Sequence, residues 1–111
     1  MVQDRKILSQ TAITSSVLTD IYTCPTGQKA CTESITICNR DSNDSTFRVS
    51  VALFWNIADS VKQYIYYDCT LPGNESMDLY KVVRLNAGDI VRVYTPGSAV
   101  SVTLNGFEYH E

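Results

Sequence analysis

The residue types that most often carry catalysis are sparse and scattered in this chain. The only histidine, His110, is next to the last of the 111 residues. Chain ends fray unless other segments hold them, so a catalytic triad or a histidine metal site built on His110 is not expected. Carboxylates occur singly at turns and strand ends, whereas a glycosidase needs two held about 5–10 Å apart across a cleft. We therefore expect no enzyme, no catalytic residues and no cofactor.

The cysteines are the next candidates for chemistry. Their spacings of seven, seven and thirty-one residues include no Cys-x-x-Cys pair, which gives a zinc site little support. No metal site is expected elsewhere, because Asp41, Asn43 and Asp44 lack the register of a calcium loop and are interpreted as a solvated turn. The favoured interpretation is four free thiols that act as small buried hydrophobes, and the alternative is one disulfide formed after release from the cell. The four are Cys24, Cys31, Cys38 and Cys69.

Charge and hydropathy exclude two classes of partner. Nine Lys and Arg against twelve Asp and Glu give a formal net charge of −3, which disfavours a nucleic-acid-binding surface. No stretch approaches the roughly 20 apolar residues of a membrane span. Residues 1–6 include three charged side chains and no apolar segment follows them, so no secretory signal is indicated and synthesis in a reducing cytoplasm is expected.

Aromatic and apolar side chains are the remaining candidates, as contacts with a partner. Tyr64 and Tyr66 are predicted to share one face of a strand, and Trp55 ends the strand before it. Exposed tyrosines can bind protein or sugar because each offers an apolar ring and a polar tip. The favoured interpretation is instead that Trp55 and either Tyr67 or the pair Tyr64 and Tyr66 fill the core. Ile7 and Leu8 follow the charged N-terminus, and residues 1–8 are interpreted either as a flexible tail or as an arm that adds to a neighbour's sheet.

The elements that must position these residues are predicted to be β-strands. Large apolar residues occupy every odd position from 47 to 55, and the same alternation recurs in short runs separated by Pro, Gly and Asn turns. This pattern predicts an all-β chain forming a single antiparallel β-sandwich of about eight strands, jelly-roll-like. Residues 1–17 are assigned to the arm and first strand, and 18–111 to the sandwich. The strands are predicted near 6–13, 17–24, 30–38, 46–55, 62–69, 76–85, 90–95 and 99–109.

Five segments together resemble a family of small virion structural proteins of tailed phages, especially cyanophages and other phages of aquatic bacteria. The likeness spans most of residues 18–108 and lies in the order and spacing of the segments. Cys24 and Cys31 depart from the family pattern, in which a small aliphatic residue is expected. The segments are DIYTCPTG at 20–27, SITICNR at 34–40, STFRVSV at 45–51, AGDIVRVY at 87–94 and VSVTLNGFE at 100–108.

The resemblance implies an assembly role in the virion. The leading expectation is a capsid decoration, or cement, protein that bridges major capsid subunits on the head surface, with a homotrimer favoured. The first alternative is a neck, collar, tail or fibre component of the virion. A carbohydrate-binding module is the second alternative, and exposed coplanar aromatic rings would distinguish it.

Overall fold

The computed structural model describes residues 4–54, 61–97 and 99–110, and it shows an antiparallel β-sandwich. The predicted fold class is therefore confirmed. Within the described part of the chain there are nine strands, and the only helical element is a 3₁₀ turn at Val61–Gln63, far too short to cross a bilayer. The strands are β1 (Asp4–Ile13), β2 (Thr19–Thr23), β3 (Lys29–Asn39), β4 (Ser45–Ala52), β5 (Tyr64–Leu71), β6 (Ser76–Leu79), β7 (Arg84–Leu85), β8 (Ile90–Tyr94) and β9 (Val100–Tyr109).

The strand order is that of a jelly roll. One sheet runs β1-β9-β3-β6, with β7 also paired to β3, and the other runs β2-β8-β4-β5. The first half of the chain pairs with the second half in reverse order: β1 with β9, β2 with β8, β3 with β6 and β7, and β4 with β5. This long ribbon then folds over, so that β9 also pairs with β3 and β8 with β4. The two resulting sheets enclose the core between them.

The core is made by the inward residues of each alternating strand. Phe47 and Val49 of β4 are fully buried, as the alternation of apolar residues at odd positions predicts. The prediction is wrong at its far end, because β4 ends at Ala52 and Leu53 is 50% exposed. Val100, Val102 and Leu104 of β9 face them from the other sheet and are also buried. The buried side chains of both sheets form one continuous apolar cluster, which accounts for the stability of a single small domain.

One predicted strand is broken in the structure. The run predicted near 76–85 divides into β6 and β7, and residues 80–83 between them are not part of a strand. Thr32 of β3 bridges this gap: its N–H donates to the Val83 carbonyl at 3.0 Å, and its hydroxyl donates to the Lys81 carbonyl at 2.8 Å and accepts from the Val83 N–H at 2.9 Å. Lys81 interrupts the apolar alternation of this run in the sequence, and here it lies on the surface instead of facing the core.

Residues 4–8 belong to β1 and are not an arm. Their pairing runs from Asp4 opposite Glu108 to Ile7 opposite Asn105 within the same chain. Neither the flexible tail nor an arm placed on a neighbour describes these residues, and residues 1–3 lie outside the described part. The boundary at 17 falls in the turn between β1 and β2, so both sides of it belong to one sandwich.

A polar clasp joins the two sheets beside the core. The Tyr22 hydroxyl on β2 donates to Glu108 Oε2 on β9 at 2.5 Å, and Lys6 Nζ on β1 lies 3.0 Å from Glu108 Oε1. Burial, followed by the bond to Glu108, raises the pKa of Tyr22 above the ordinary tyrosine value. The same hydrogen bond, assisted by Lys6, lowers the pKa of Glu108. The clasp therefore holds an ionised carboxylate and a neutral phenol in the folded state.

Replacing Tyr22 with phenylalanine should lower the free energy of unfolding by about 2 kcal/mol at pH 7, because a hydrogen bond to a charged group is lost. A lowered carboxyl pKa stabilises the folded state above the pKa of the unfolded chain, and this contribution disappears as pH falls through the folded-state pKa. The difference between wild type and Tyr22→Phe should therefore be constant near neutral pH and shrink as pH falls through the lowered pKa of Glu108. Urea unfolding of both proteins at a series of pH values measures this difference in the free energy of unfolding.

Tyr80→Phe is the matched control for this prediction. Its ring is 79% exposed, so the same loss of a hydroxyl should leave stability unchanged at every pH. A Tyr22→Phe difference that does not depend on pH would show that Glu108 ionisation does not contribute to the clasp.

Candidate binding surface

The outer face of the β2-β8-β4-β5 sheet carries the most distinctive group of side chains in the described residues. Because Phe47 and Val49 point into the core, Arg48 between them points outward. Tyr94 lies directly opposite Arg48 on the neighbouring strand β8. Two central strands thus place a cation and an aromatic ring side by side on the surface.

Irregular pairing of the edge strand β5 adds two more tyrosines. Its register against β4 shifts between Phe47 and Val49 and again between Val49 and Ser50. Such shifts mark β-bulges, in which an extra residue changes the face to which the following side chains point. Asp68 in the first bulge has a φ of 49°, a left-handed conformation that aspartate tolerates better than most residues. Tyr64 and Tyr67 consequently both contact Arg48.

Arg48 is the centre of this group, which we call the Arg48 cluster: Arg48, Tyr64, Tyr67, Asp68 and Tyr94. The guanidinium carbon lies 4.1 Å from the ring centre of Tyr67, 5.0 Å from that of Tyr94 and 6.0 Å from that of Tyr64. The rings of Tyr64 and Tyr67 meet edge to face at 5.0 Å. These distances are those of cation–π and aromatic contacts.

Asp68 fixes the orientation of the guanidinium. Its two carboxylate oxygens accept from Arg48 Nε at 2.6 Å and from Nη2 at 3.3 Å, which is a two-point contact. The hydrogen bond from Arg48 lowers the pKa of Asp68 and raises that of Arg48, so both groups stay charged. A second ion pair, from Arg92 Nε to Asp20 Oδ1 at 2.6 Å, lies on the neighbouring strands β8 and β2.

The residue types of the Arg48 cluster are those that recur in protein interfaces. Tyr67 is 56% exposed, and Arg48 is held between rings before any partner arrives. Tyrosine and arginine are enriched at the energetic centres of protein interfaces, because they bury large areas and still offer hydrogen bonds. A preorganised cluster on a rigid sheet also loses little side-chain entropy on binding.

The predicted interface residues are separated by the structure. Tyr66 packs against the core, with its ring centre 6.0 Å from that of Phe47, while Tyr64 joins the Arg48 cluster. The prediction that Tyr64 and Tyr66 share a face is therefore wrong, because the bulge between them inserts Ile65 into the alternation. Trp55 lies outside the described residues.

Ile7 and Leu8 lie in the other sheet, away from the Arg48 cluster. Ile7 is 53% exposed, whereas Leu8 sits in a bulge of β1 and packs against the core. The structure does not bring them together with Tyr64.

Arg48, Tyr67 and Tyr94 were not among the predicted interface residues. Alternation alone indicates that both Arg48 and Tyr94 point outward, since Arg48 lies between two apolar residues and Tyr94 shares the parity of the charged Arg92. Their proximity follows from the pairing of β4 with β8, which no local pattern specifies. The contact of Tyr67 with Arg48 depends in addition on the bulges of β5.

All four cysteines are free in the structure. Cys24 and Cys31 are buried, and Cys38 and Cys69 are partly exposed. Burial, together with the nearby carboxylates of Glu108 and Asp89, raises the pKa of Cys24. This arrangement agrees with buried thiols for the first two residues only. Among the described residues, no group of three His, Cys, Asp or Glu side chains is placed to hold a metal ion.

An open cleft of about 610 Å³ lies at the end of the sandwich that carries the 40–44 and 96–97 turns. The Asp41 carboxylate accepts from the Asn43 N–H at 3.2 Å, and that of Asp44 accepts from the Gly73 N–H at 3.0 Å. These carboxylates stabilise turns, as the sequence interpretation expects. The described residues lining the cleft include no aromatic ring on which a sugar could stack.

Thiol labelling tests the placement of the cysteines. In native protein, Cys38 and Cys69 should react with iodoacetamide, while Cys24 and Cys31 should be protected by burial and Cys24 also by its raised thiol pKa. In denaturant without reductant, a thiol assay should count four groups, and peptide mapping by mass spectrometry identifies them. A count of two would establish a disulfide.

The comparisons with known proteins add no family assignment. No protein-family model matches this chain, and no curated protein matches it.

Proposed function

We propose that this protein is a non-enzymatic structural component of a tailed-phage virion. It binds the outside of the assembled head as a decoration protein and bridges neighbouring major capsid subunits. The Arg48 cluster is the observation that carries the proposal, since it is an exposed, preordered group of the residue types that dominate protein interfaces.

The fold supports this role at the level of analogy. Jelly rolls are common among viral capsid proteins and also occur in lectins, and a fold by itself does not determine a function. The resemblance of the segments within residues 18–108 to small virion proteins favours the first of these two classes.

The mechanism is stabilisation by several contacts at once. In this arrangement the exposed ring of Tyr67 packs on a capsid subunit, and Arg48 donates its remaining N–H groups to backbone carbonyls or carboxylates there. A protein that contacts two subunits at the same time opposes their separation by more than either contact alone. No covalent step is required.

The principal alternative is a neck, collar, tail or fibre component, in which the same surface contacts a different virion protein. A carbohydrate-binding module has less support. Arg48 covers one face of the Tyr67 ring and Tyr64 packs edge to face against it. The face of Tyr67 that Arg48 covers is thus not free for stacking on a sugar.

Immunogold labelling of intact virions with antibody against this chain locates the protein. Gold distributed evenly over the head is expected, and the same particles should yield peptides of the chain by mass spectrometry. Gold confined to the neck or tail would exclude a decoration protein and support a neck, collar, tail or fibre component. Unlabelled virions that contain no peptide of this chain would refute a virion role.

A pair of tyrosine variants tests the Arg48 cluster as the contact. Tyr67→Ala should weaken binding to phage heads stripped of this protein by about tenfold or more, as truncation of an interface hot spot does. Tyr80→Ala is the matched control, since Tyr80 is 79% exposed and lies on the other sheet's edge segment. Co-sedimentation with heads measures both, and thermal unfolding verifies that both variants fold. Equal binding by the two variants would show that the Arg48 cluster is not the contact with the head.

A further inference from the structure

The sandwich has four sheet edges, and three of them are interrupted. β5 contains two register shifts and a left-handed residue, Asp68. β2 has only five residues and a register shift next to Asp20. The opposite edge of the first sheet is divided into the short strands β6 and β7. Short strands and bulges are the devices by which proteins prevent edges from pairing with other chains.

The fourth edge, β1, lacks these devices over half its length. β1 has ten residues, and among the described residues it pairs with β9 alone. After the bulge at Leu8, the segment Ser9–Ile13 pairs regularly and contains no charge, proline or glycine. Gln10 and Ala12 are exposed, and Ile13 is buried. This is a regular edge that another strand can join by main-chain hydrogen bonds.

We propose that two copies of this chain associate through β1, antiparallel and about a two-fold axis perpendicular to the sheet. The two five-stranded sheets then form one continuous sheet across the dimer. This self-association goes beyond the proposed function, because it requires neither a capsid nor the Arg48 cluster.

Charge and apolar exposure favour a second copy as the occupant. The segment Ser9–Ile13 is uncharged, so self-pairing brings no like charges together. Arg5 and Lys6 already contact Glu33 and Glu108 within their own chain.

Pairing centred within Ser9–Ile13 places residues 5–7 of one copy beside the 14–18 turn of the other, which is also uncharged. It therefore brings Ile7, 53% exposed, next to the turn that carries Val17, 49% exposed. Burial of these two side chains adds an apolar contribution at each end of the joined strands.

Sedimentation equilibrium of the recombinant chain measures the association, with wild type expected to pass from monomer to dimer as concentration rises. In Gln10→Lys/Ala12→Lys, the two-fold axis puts all four lysines on one face of the joined strands, and the dimer dissociation constant should rise by roughly tenfold or more. Thr103→Lys/Ser101→Lys is the matched control. These residues lie opposite Gln10 and Ala12 on β9, one strand further in.

A second experiment, with oppositely charged variants, distinguishes loss of pairing from loss of folding. Gln10→Glu/Ala12→Glu should also fail to self-associate, but an equimolar mixture with the lysine variant should form a one-to-one dimer. Hydrogen exchange should show slower exchange of the Ser9–Ile13 amides in that mixture than in either variant alone.

Three results would overturn the inference: a wild type that stays monomeric at all concentrations, a wild type that forms trimers, or a control that loses association as strongly as the edge variant. The trimer is the assembly that the resemblance to decoration proteins implies. Because no capsid protein is present, failure here leaves the head-binding assays of the proposed function unaffected, and failure of those assays leaves the dimer unaffected.

Discussion

The structure depends on the position of β9 between β1 and β3. Its inward residues Val100, Val102 and Leu104 supply the middle of one core layer. Near its C-terminal end lies Glu108, which joins the two sheets through Tyr22. Because the last strand pairs with the first, the sheet forms only when both ends of the chain have met. Local contacts cannot stabilise half of this sandwich, which makes folding a cooperative event with a large loop-closure cost.

The regular strands form the frame, and departures from regularity create the distinctive features of the surface. Bulges in β5 direct Tyr64 and Tyr67 towards Arg48 and leave Tyr66 against the core. The same bulges disrupt that edge for pairing with another chain. A single irregular strand thus both assembles the Arg48 cluster and protects an edge, whereas the regular half of β1 does neither.

Alternation of apolar and polar residues predicted the fold class and most strand positions, because one buried face imposes a period of two on any strand. The prediction from alternation failed where a strand departs from regular pairing with its neighbouring strand. The run near 76–85 is broken between β6 and β7, where the Thr32 hydroxyl bonds to the backbone of Lys81 and Val83 beside one remaining backbone bond from Thr32 to Val83. The shared face of Tyr64 and Tyr66 failed because a bulge adds one residue, and local sequence carries no clear mark of a bulge.

By itself, the sequence determined that this chain is an all-β sandwich with turns at its Pro, Gly and Asn clusters, and that Arg48 and Tyr94 point away from the core. Those properties follow from the chemistry of neighbouring residues. Only the tertiary structure decided that Arg48 contacts Tyr67, that Tyr22 bonds to Glu108, and which edges are interrupted. Each of these depends on which strands pair and in what register, and pairing is set by the packing of the whole ribbon around one core.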